Sequence, residues 1–365
     1  MIARAKTKTL FSGRPLTAAQ QKNSEQNLFE LERGAPVLAS LPRRIVLELT
    51  NGCNLHCAMC GRSAAEFHPT RLDMRWFYAL EPLFDTVEEV TLMGWGEPTI
   101  HPDFEEMLRV IHRHSARTYF CTNGMRLHLL ADAIFENEVD VFAVSADGAT
   151  PETNNRIRTG SDLEQINGSL RKIVRRKKTE HLAYPYINYV FCAMKSNLSE
   201  LVQMVEMTAD VGLDELKVVY FTAFHPSMLH ETLWDNRDET AELFFRAEER
   251  ANELGIVLKL PHVQGMDPAG DAPHRPCFAP YRDFFLGSDG FVRPCMSTAE
   301  QLFRFDPGAR FMDLWNSEAY IRHRKTVNTD EMNASCRSCY QSSHCNWNNR
   351  RSFIQIAEKF APEWR

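Results

Sequence analysis

From Arg44 onward the chain alternates short apolar runs with amphipathic segments, and that alternation constrains its fold more than any other feature. Apolar runs of strand length fall at 45–49, 89–93, 118–122, 139–145, 186–194 and 216–220, with an extra one at 256–260. Helical periodicity fills the gaps. Phe104, Met107, Leu108 and Ile111 repeat at i, i+3, i+4 and i+7 behind Pro102, which the pattern places in the first turn. Leu198, Leu201, Val202 and Val205 do the same behind Asn197, read as the cap. Six such repeats predict a parallel sheet covered by helices, because parallel neighbours need a crossover and a helix is the usual one. Parallel units wind with one hand and gather ligands at the carboxyl ends of their strands.

Chemistry-bearing residues recur at that rim. Directly after the first strand, Cys53, Cys57 and Cys60 stand in the spacing C-x3-C-x2-C, so one short loop can wrap one metal centre. Three thiols are one too few for a closed four-coordinate site, whereas structural zinc sites fill all four positions. The deficit predicts a [4Fe-4S] cluster whose fourth iron stays open to a small-molecule ligand. Gly94-Trp95-Gly96-Glu97-Pro98 follows the second strand, Thr122-Asn123-Gly124 ends the third, and Ser145-Ala146-Asp147-Gly148 ends the fourth.

A chain of 365 residues has room for one large domain and a smaller one. Its net charge of -6 argues against nucleic acid as the main partner. The basic run 171–178 reads as a solvated helix face, since no aromatic residue is interleaved. No apolar run approaches the roughly 18 residues that span a bilayer, and no signal-peptide core opens the chain, so a cytoplasmic protein without a membrane partner is expected. In a reducing compartment ten cysteines are not expected to be a disulfide framework, and the eight that fall into two groups, at 53–60 and 277–345, read as metal ligands. Residues 1–42 read as an extension docked on the main domain, with no obvious leader-peptide-binding domain in it. Prolines and glycines past 260 mark a boundary between a domain over 43–260 and a linker with a second cysteine-bearing domain over 261–365.

In that second domain, Gly287-Ser288-Asp289-Gly290 between Phe284-Phe285-Leu286 and Phe291-Val292 has hairpin chemistry, which brings Cys277 and Cys295 to one end. Cys336 and Cys339 complete four thiolates, a set that suits either structural zinc or a second cluster. The open loop at 53–60 tips the reading towards a cluster. Cys345 is left over, as a replacement ligand, a thiol that returns a hydrogen atom, or a buried side chain. Cys121 and Cys192 read as strand packing, and His56 as a residue at the surface or just behind the metal ligands rather than a ligand itself.

On these motifs the sequence resembles the radical S-adenosylmethionine (SAM) enzymes, in particular those with a C-terminal SPASM or Twitch-type auxiliary-cluster domain. The match runs from about Arg44 to Asn349 and includes Leu314-Trp315-Asn316-Ser317 ahead of Cys336. The resemblance implies an α/β fold, a partial (β/α)6 TIM-type barrel with a small iron-sulfur domain behind it. It implies that Cys53, Cys57 and Cys60 bind three irons while SAM chelates the fourth. Gly96 and Glu97 match the motif that holds the methionine amino group, Ser145 and Asp147 match ribose or carboxylate contacts, and Thr122 and Asn123 lie at the same rim. Trp95 departs from the usual glycine pair, and with five tail cysteines and Asn349 in place of a further thiol, one auxiliary [4Fe-4S] cluster on Cys277, Cys295, Cys336 and Cys339 is expected.

The implied chemistry is reductive cleavage of SAM, with an electron from a donor such as flavodoxin or ferredoxin, to a 5'-deoxyadenosyl radical that abstracts a substrate hydrogen. Oxidation follows if the tail cluster takes the leftover electron, epimerisation if a thiol such as Cys345 returns a hydrogen atom, and rearrangement needs neither. The lean is to a sugar, aminocyclitol or nucleoside-like metabolite, with a ribosomal peptide as the alternative and a non-catalytic metal protein as the remote one.

Overall fold

The computed structural model describes residues 14–336, apart from 65–67, 225, 234, 262, 264–276, 297, 299 and 335. Seven strands follow one another in parallel: β1 Arg44–Leu47, β2 Glu89–Leu92, β3 Arg117–Thr122, β4 Val141–Ser145, β5 Tyr186–Ala193, β6 Glu215–Tyr220 and β7 Val257–Lys259. Ile45, Leu47, Val90, Leu92, Phe120, Phe142, Val144, Ile187, Phe191, Leu216 and Val218 join the main core beneath the helices. Their alternates Tyr119, Val141, Ala143 and Tyr186 form a second cluster, with Cys121 and Val190 packed on it. Alternation along each strand thus serves two faces, the outer one under helices and the inner one lining the barrel. The fold is a partial TIM-type barrel.

Two helix starts differ from expectation. Asp103 occupies the cap of Phe104–His112, so Pro102 lies one residue outside the helix rather than in its first turn. Asn197 makes no side-chain cap to the turn it precedes. Its amide instead donates to the carbonyls of Asp147 and Cys192, both at 3.0 Å, and accepts from Met194 N, which ties the end of β5 to the end of β4. The basic run lies on the helix Leu163–Thr179, which buries Ile173 and Val174 and pairs Arg171, Arg176 and Lys177 with Asp210, Asp132 and Asp214.

The sheet does not stop at the linker. β8 (Asp283–Leu286) pairs in parallel with β1, Arg44 opposite Asp283, and then turns through 287–290 into β9 (Phe291–Arg293) and β10 (Phe303–Arg304), both antiparallel. Gly290 takes a positive φ of 82° in that turn. A buried ion pair, Arg44 to Asp283 at 2.6 Å, fixes the β1–β8 register.

At the amino ends of the strands the described segment 14–40 packs against the barrel. The helix Ala18–Glu32 begins with a capping box on Thr17. Its Gln20 donates to the carbonyls of Val87 and Ser115, both at 2.9 Å, just ahead of β2 and β3. Trp315 Nε1 donates to Ser40 O at 3.1 Å, and Asn316 brackets the Leu38 backbone. Among the described residues no helix is long and apolar enough to cross a membrane.

Candidate metal and cofactor site

The 53–60 loop leaves the end of β1 and is pinned from both sides. Glu97 N donates to Gly52 O at 2.8 Å, while His56 N and Ala58 N donate to Thr159 O and Ile157 O at 2.9 and 2.8 Å. Leu55 is buried beneath it, and His56 is exposed. A Cβ on Gly96 would strike the backbone oxygens of Gly52 and Thr50, so glycine there is what lets the rim segment lie against the cysteine loop.

Among the described residues the three loop cysteines form no disulfide, and all three are half-buried. Burial raises Cys53 above its ordinary value and pushes Cys57 up to about 11, and the thiols act electrostatically on one another. Donors converge on the sulfurs. Asn123 Nδ2 lies 3.8 Å from Cys53 Sγ, Leu55 N lies 3.4 Å from it, and Arg158 Nη1 lies 3.9 Å from Cys57 Sγ. A soft sulfur donor set faced by N–H groups and a guanidinium is the environment of an anionic iron-sulfur centre, so the residues present fit one.

Arg158 is itself held in place. Its Nε donates to Asp147 Oδ2 at 2.6 Å, and the other oxygen of that fully buried carboxylate accepts from Cys192 N at 2.7 Å. Burial raises the Asp147 carboxyl despite the cation beside it. Asp147 therefore orients the arginine that faces Cys57. Glu97 is likewise buried and occupied: it accepts from Thr99 N, Thr99 Oγ1, Thr122 Oγ1 and Asn123 N at 3.1, 2.6, 2.7 and 2.7 Å. Its carboxylate joins β2 to β3, and the backbone around Gly96 is the part that faces the loop. Ser145 stays half-buried at the end of β4, its hydroxyl 3.7 Å from Cys121 Sγ. Gly96, Glu97, Thr122, Asn123, Ser145 and Asp147 thus share one rim with the loop.

Trp95 forms a wall over that rim. Its ring meets Phe224 edge-on at 5.5 Å, and a Cβ on Gly61, next to Cys60, would press on both rings. Beneath it Glu48 accepts from Trp95 N at 2.9 Å and from Ser288 Oγ at 2.7 Å, joining the rim to the β8–β9 turn.

The tail thiols lie elsewhere. Asn328 clasps the Cys277 backbone, donating to its O at 3.0 Å and accepting from its N at 2.6 Å. The register Phe285 opposite Arg293 carries Cys295 to the start of β8, so Cys277 and Cys295 sit towards the amino ends of the strands. The 53–60 loop sits at the carboxyl ends, a four-residue strand length away, roughly 13 Å at about 3.3 Å per residue. Cys336 lies 4.0 Å from His323 Nε2, and Glu300, His323 and Cys336 bring ligand atoms within 4.8 Å of one another. Cys339 and Cys345 fall outside the described residues.

Sequence reasoning missed Arg158 and Glu48, and gave Asn197 the role of a helix cap. Only Glu48 carried a local signal, as a carboxylate inside an otherwise apolar strand run.

A family model described as the radical SAM superfamily matches residues 47–235, and one described as SPASM, an iron-sulfur cluster-binding domain, matches 277–340. The chain is 23% identical over 327 residues to the tungsten-containing aldehyde ferredoxin oxidoreductase cofactor-modifying protein of Pyrococcus furiosus, covering 83% of this chain and 88% of that one. It is 26% identical over 317 residues to the PqqA peptide cyclase of Ruegeria pomeroyi, covering 82% and 79%. Among solved structures, Streptococcus suis SuiB bound to the precursor peptide SuiA superposes with a TM-score of 0.64 at 15% identity, over 94% of this chain and 78% of that chain.

Proposed function

The chain belongs to the radical SAM superfamily and carries a SPASM domain, and on that premise we propose that it modifies a side chain of a peptide. Its cofactors are SAM, a SAM-binding [4Fe-4S] cluster and an auxiliary [4Fe-4S] cluster. The peptide reading replaces the lean towards a sugar-, aminocyclitol- or nucleoside-sized metabolite. It is carried by the likeness to PqqA peptide cyclase, which runs over most of both chains. The Pyrococcus relative, named for modifying a cofactor, supports a second reading in which the substrate is a small molecule.

In this reading Cys53, Cys57 and Cys60 hold the SAM cluster, and Cys277, Cys295, Cys336 and Cys339 hold the auxiliary one. When bound, the SAM cluster and SAM together supply hydrogen-atom abstraction from an unactivated C–H bond. The protein positions and shields. Asp147 fixes Arg158 so that a guanidinium faces Cys57, which favours negative charge on that sulfur. Asn123 does the same for Cys53 while its backbone N–H is anchored on Glu97. Gly96 lets the rim approach the loop, and Trp95 with Phe224 excludes water from one side of it. Ser145 and the backbone around Gly96 and Glu97 are the rim's polar groups that would orient SAM, while the buried Thr122 hydroxyl holds Glu97 and the Gly124 N–H in place. A flavodoxin or ferredoxin would deliver the electron, and Cys277, Cys295, Cys336 and Cys339 would hold a centre able to take up the electron that a substrate radical loses on becoming an oxidised product.

The test is to incubate the reconstituted, reduced enzyme and SAM with short peptides encoded beside its gene, and separately with sugars, aminocyclitols and nucleosides. Production of 5'-deoxyadenosine well above the substrate-free level, together with a mass change in the peptide alone, is the expected result. Turnover with a small metabolite and none with any peptide would favour the second reading.

A further inference from the structure

The helix Glu318–Thr326 and the residue Asn328 behind it contact two of the three described tail cysteines, Cys336 and Cys277. Asn328 holds the Cys277 backbone. His323, buried, directs Nε2 towards Cys336 Sγ at 4.0 Å, while its Nδ1 faces Glu300 at 3.3 Å. Asn333 completes the arrangement, donating to Glu300 and accepting from Cys336 N at 2.8 Å. Tyr320 lies one turn before His323 on the same helix face.

Tyr320 is unlike its neighbours. Its ring is fully buried among Phe284, Phe303, Trp315 and the Arg324 guanidinium, yet its hydroxyl has no hydrogen-bond partner among the described residues. A buried hydroxyl without a partner costs free energy, and phenylalanine would fill the same space without it. Its ring stacks on Phe284, and the register of Phe285 opposite Arg293 carries Cys295 to the neighbouring Asp283. Cys295 and Cys336 are therefore approached by residues three apart on one helix, which puts the centre they would share over that face, beside the orphaned hydroxyl.

We propose that Tyr320 donates its O–H hydrogen bond to sulfur of the tail cluster, at Cys295 or at an inorganic sulfide beside it, and thereby raises that cluster's reduction potential. This rests on reading Cys277, Cys295 and Cys336 as its ligands. Hydrogen bonds to cluster sulfurs stabilise the reduced, more negative state and so make the centre a better electron acceptor. Tyr320 is a tuning residue that touches the acceptor rather than the substrate, and it would favour oxidation of the product over return of a hydrogen atom.

The experiment uses the full chain carrying Cys53→Ala, Cys57→Ala and Cys60→Ala, so that the tail centre is the one left to observe, with and without Tyr320→Phe. About four irons per chain are expected in both. In a redox titration followed by electron paramagnetic resonance, Tyr320→Phe should lower the reduced-to-oxidised ratio at a fixed poise about tenfold, ~59 mV for one electron. In the metal-free protein Tyr320→Phe should be neutral or stabilising, an outcome that a purely structural hydroxyl would not produce. Unchanged potential at full iron content overturns the proposal, as does loss of iron from Tyr320→Phe alone. Zinc, or no iron, in the parent protein overturns the cluster reading beneath it and is separately visible in the metal analysis.

Discussion

Asp147→Asn is the sharpest probe of how the rim is held. The substitution keeps the side-chain shape but removes the charge opposite Arg158, whose Nε lies 2.6 Å from one carboxylate oxygen. The second oxygen accepts from Cys192 N at 2.7 Å, so an amide can satisfy one donor and must turn its own N–H2 towards the other. Removing one partner of a buried pair costs about 3–5 kcal/mol, because the remaining charge is left uncompensated. Against a typical total stability of about 5–15 kcal/mol, that is a large fraction. Chemical unfolding of the metal-free protein should therefore show Asp147→Asn destabilised by about 3 kcal/mol or more. Arg158→Met should cost a similar amount, and the double variant should be far less unstable than the sum, with a coupling of at least about 2 kcal/mol. Iron bound at the 53–60 loop should fall in both single variants, since the guanidinium facing Cys57 is lost or misdirected. Additive unfolding energies, or Asp147→Asn within about 0.5 kcal/mol of the parent, would refute the argument that this pair positions the site.

Gly96→Ala forces the rim off the Gly52 and Thr50 carbonyls, and SAM cleavage, followed as 5'-deoxyadenosine, should drop by about 100-fold or more while the helical circular dichroism persists. Glu97→Gln turns a donor towards Thr122, Thr99 or Asn123, and thermal unfolding should report a loss of about 2–3 kcal/mol. Asp283 is held well below the usual carboxylate range: burial opposes its charge, but Arg282 and Arg44 outweigh that. Its folded-state value is depressed, so its contribution is present above the unfolded value of about 3.9 and is lost as pH falls below it. The urea midpoint should consequently fall steeply between pH 5 and pH 2 in the parent and more gently in Asp283→Asn. Iron and sulfide analysis of the reconstituted protein should give about eight irons per chain, dropping to about four when Cys53, Cys57 and Cys60 are replaced by alanine.

The parallel barrel was legible because its strands are short apolar runs divided by helical periodicity, and the runs at 45–49, 89–93 and 216–220 lie within a residue or two of β1, β2 and β6. The rim was legible for the same reason: motifs that follow successive parallel strands must share an end. What stayed hidden depends on long-range partners. Nothing near Asp283 announces that it pairs with Arg44, and Arg158 looks like any helix-end arginine until Asp147 is placed beside it. Glu97 shows the limit of a motif. Its position was evident in the sequence, but its four donors come from two different strand ends and were not.

The pairing of β8 with β1 also sets a schedule for synthesis. The outer edge of β1 is complete once residue 47 has emerged, yet the strand that covers it begins at residue 283. Through most of translation the nascent barrel therefore carries an unpaired apolar edge, the kind of surface that templates aggregation. The same late arrival supplies Trp315 for Ser40 and Asn316 for Leu38, so the segment 38–40 has no final seat until the last quarter of the chain is made. Ribosome-bound chains truncated before residue 283 should engage chaperones or associate with one another, and release of that hold should coincide with emergence of the hairpin that leads to Cys295.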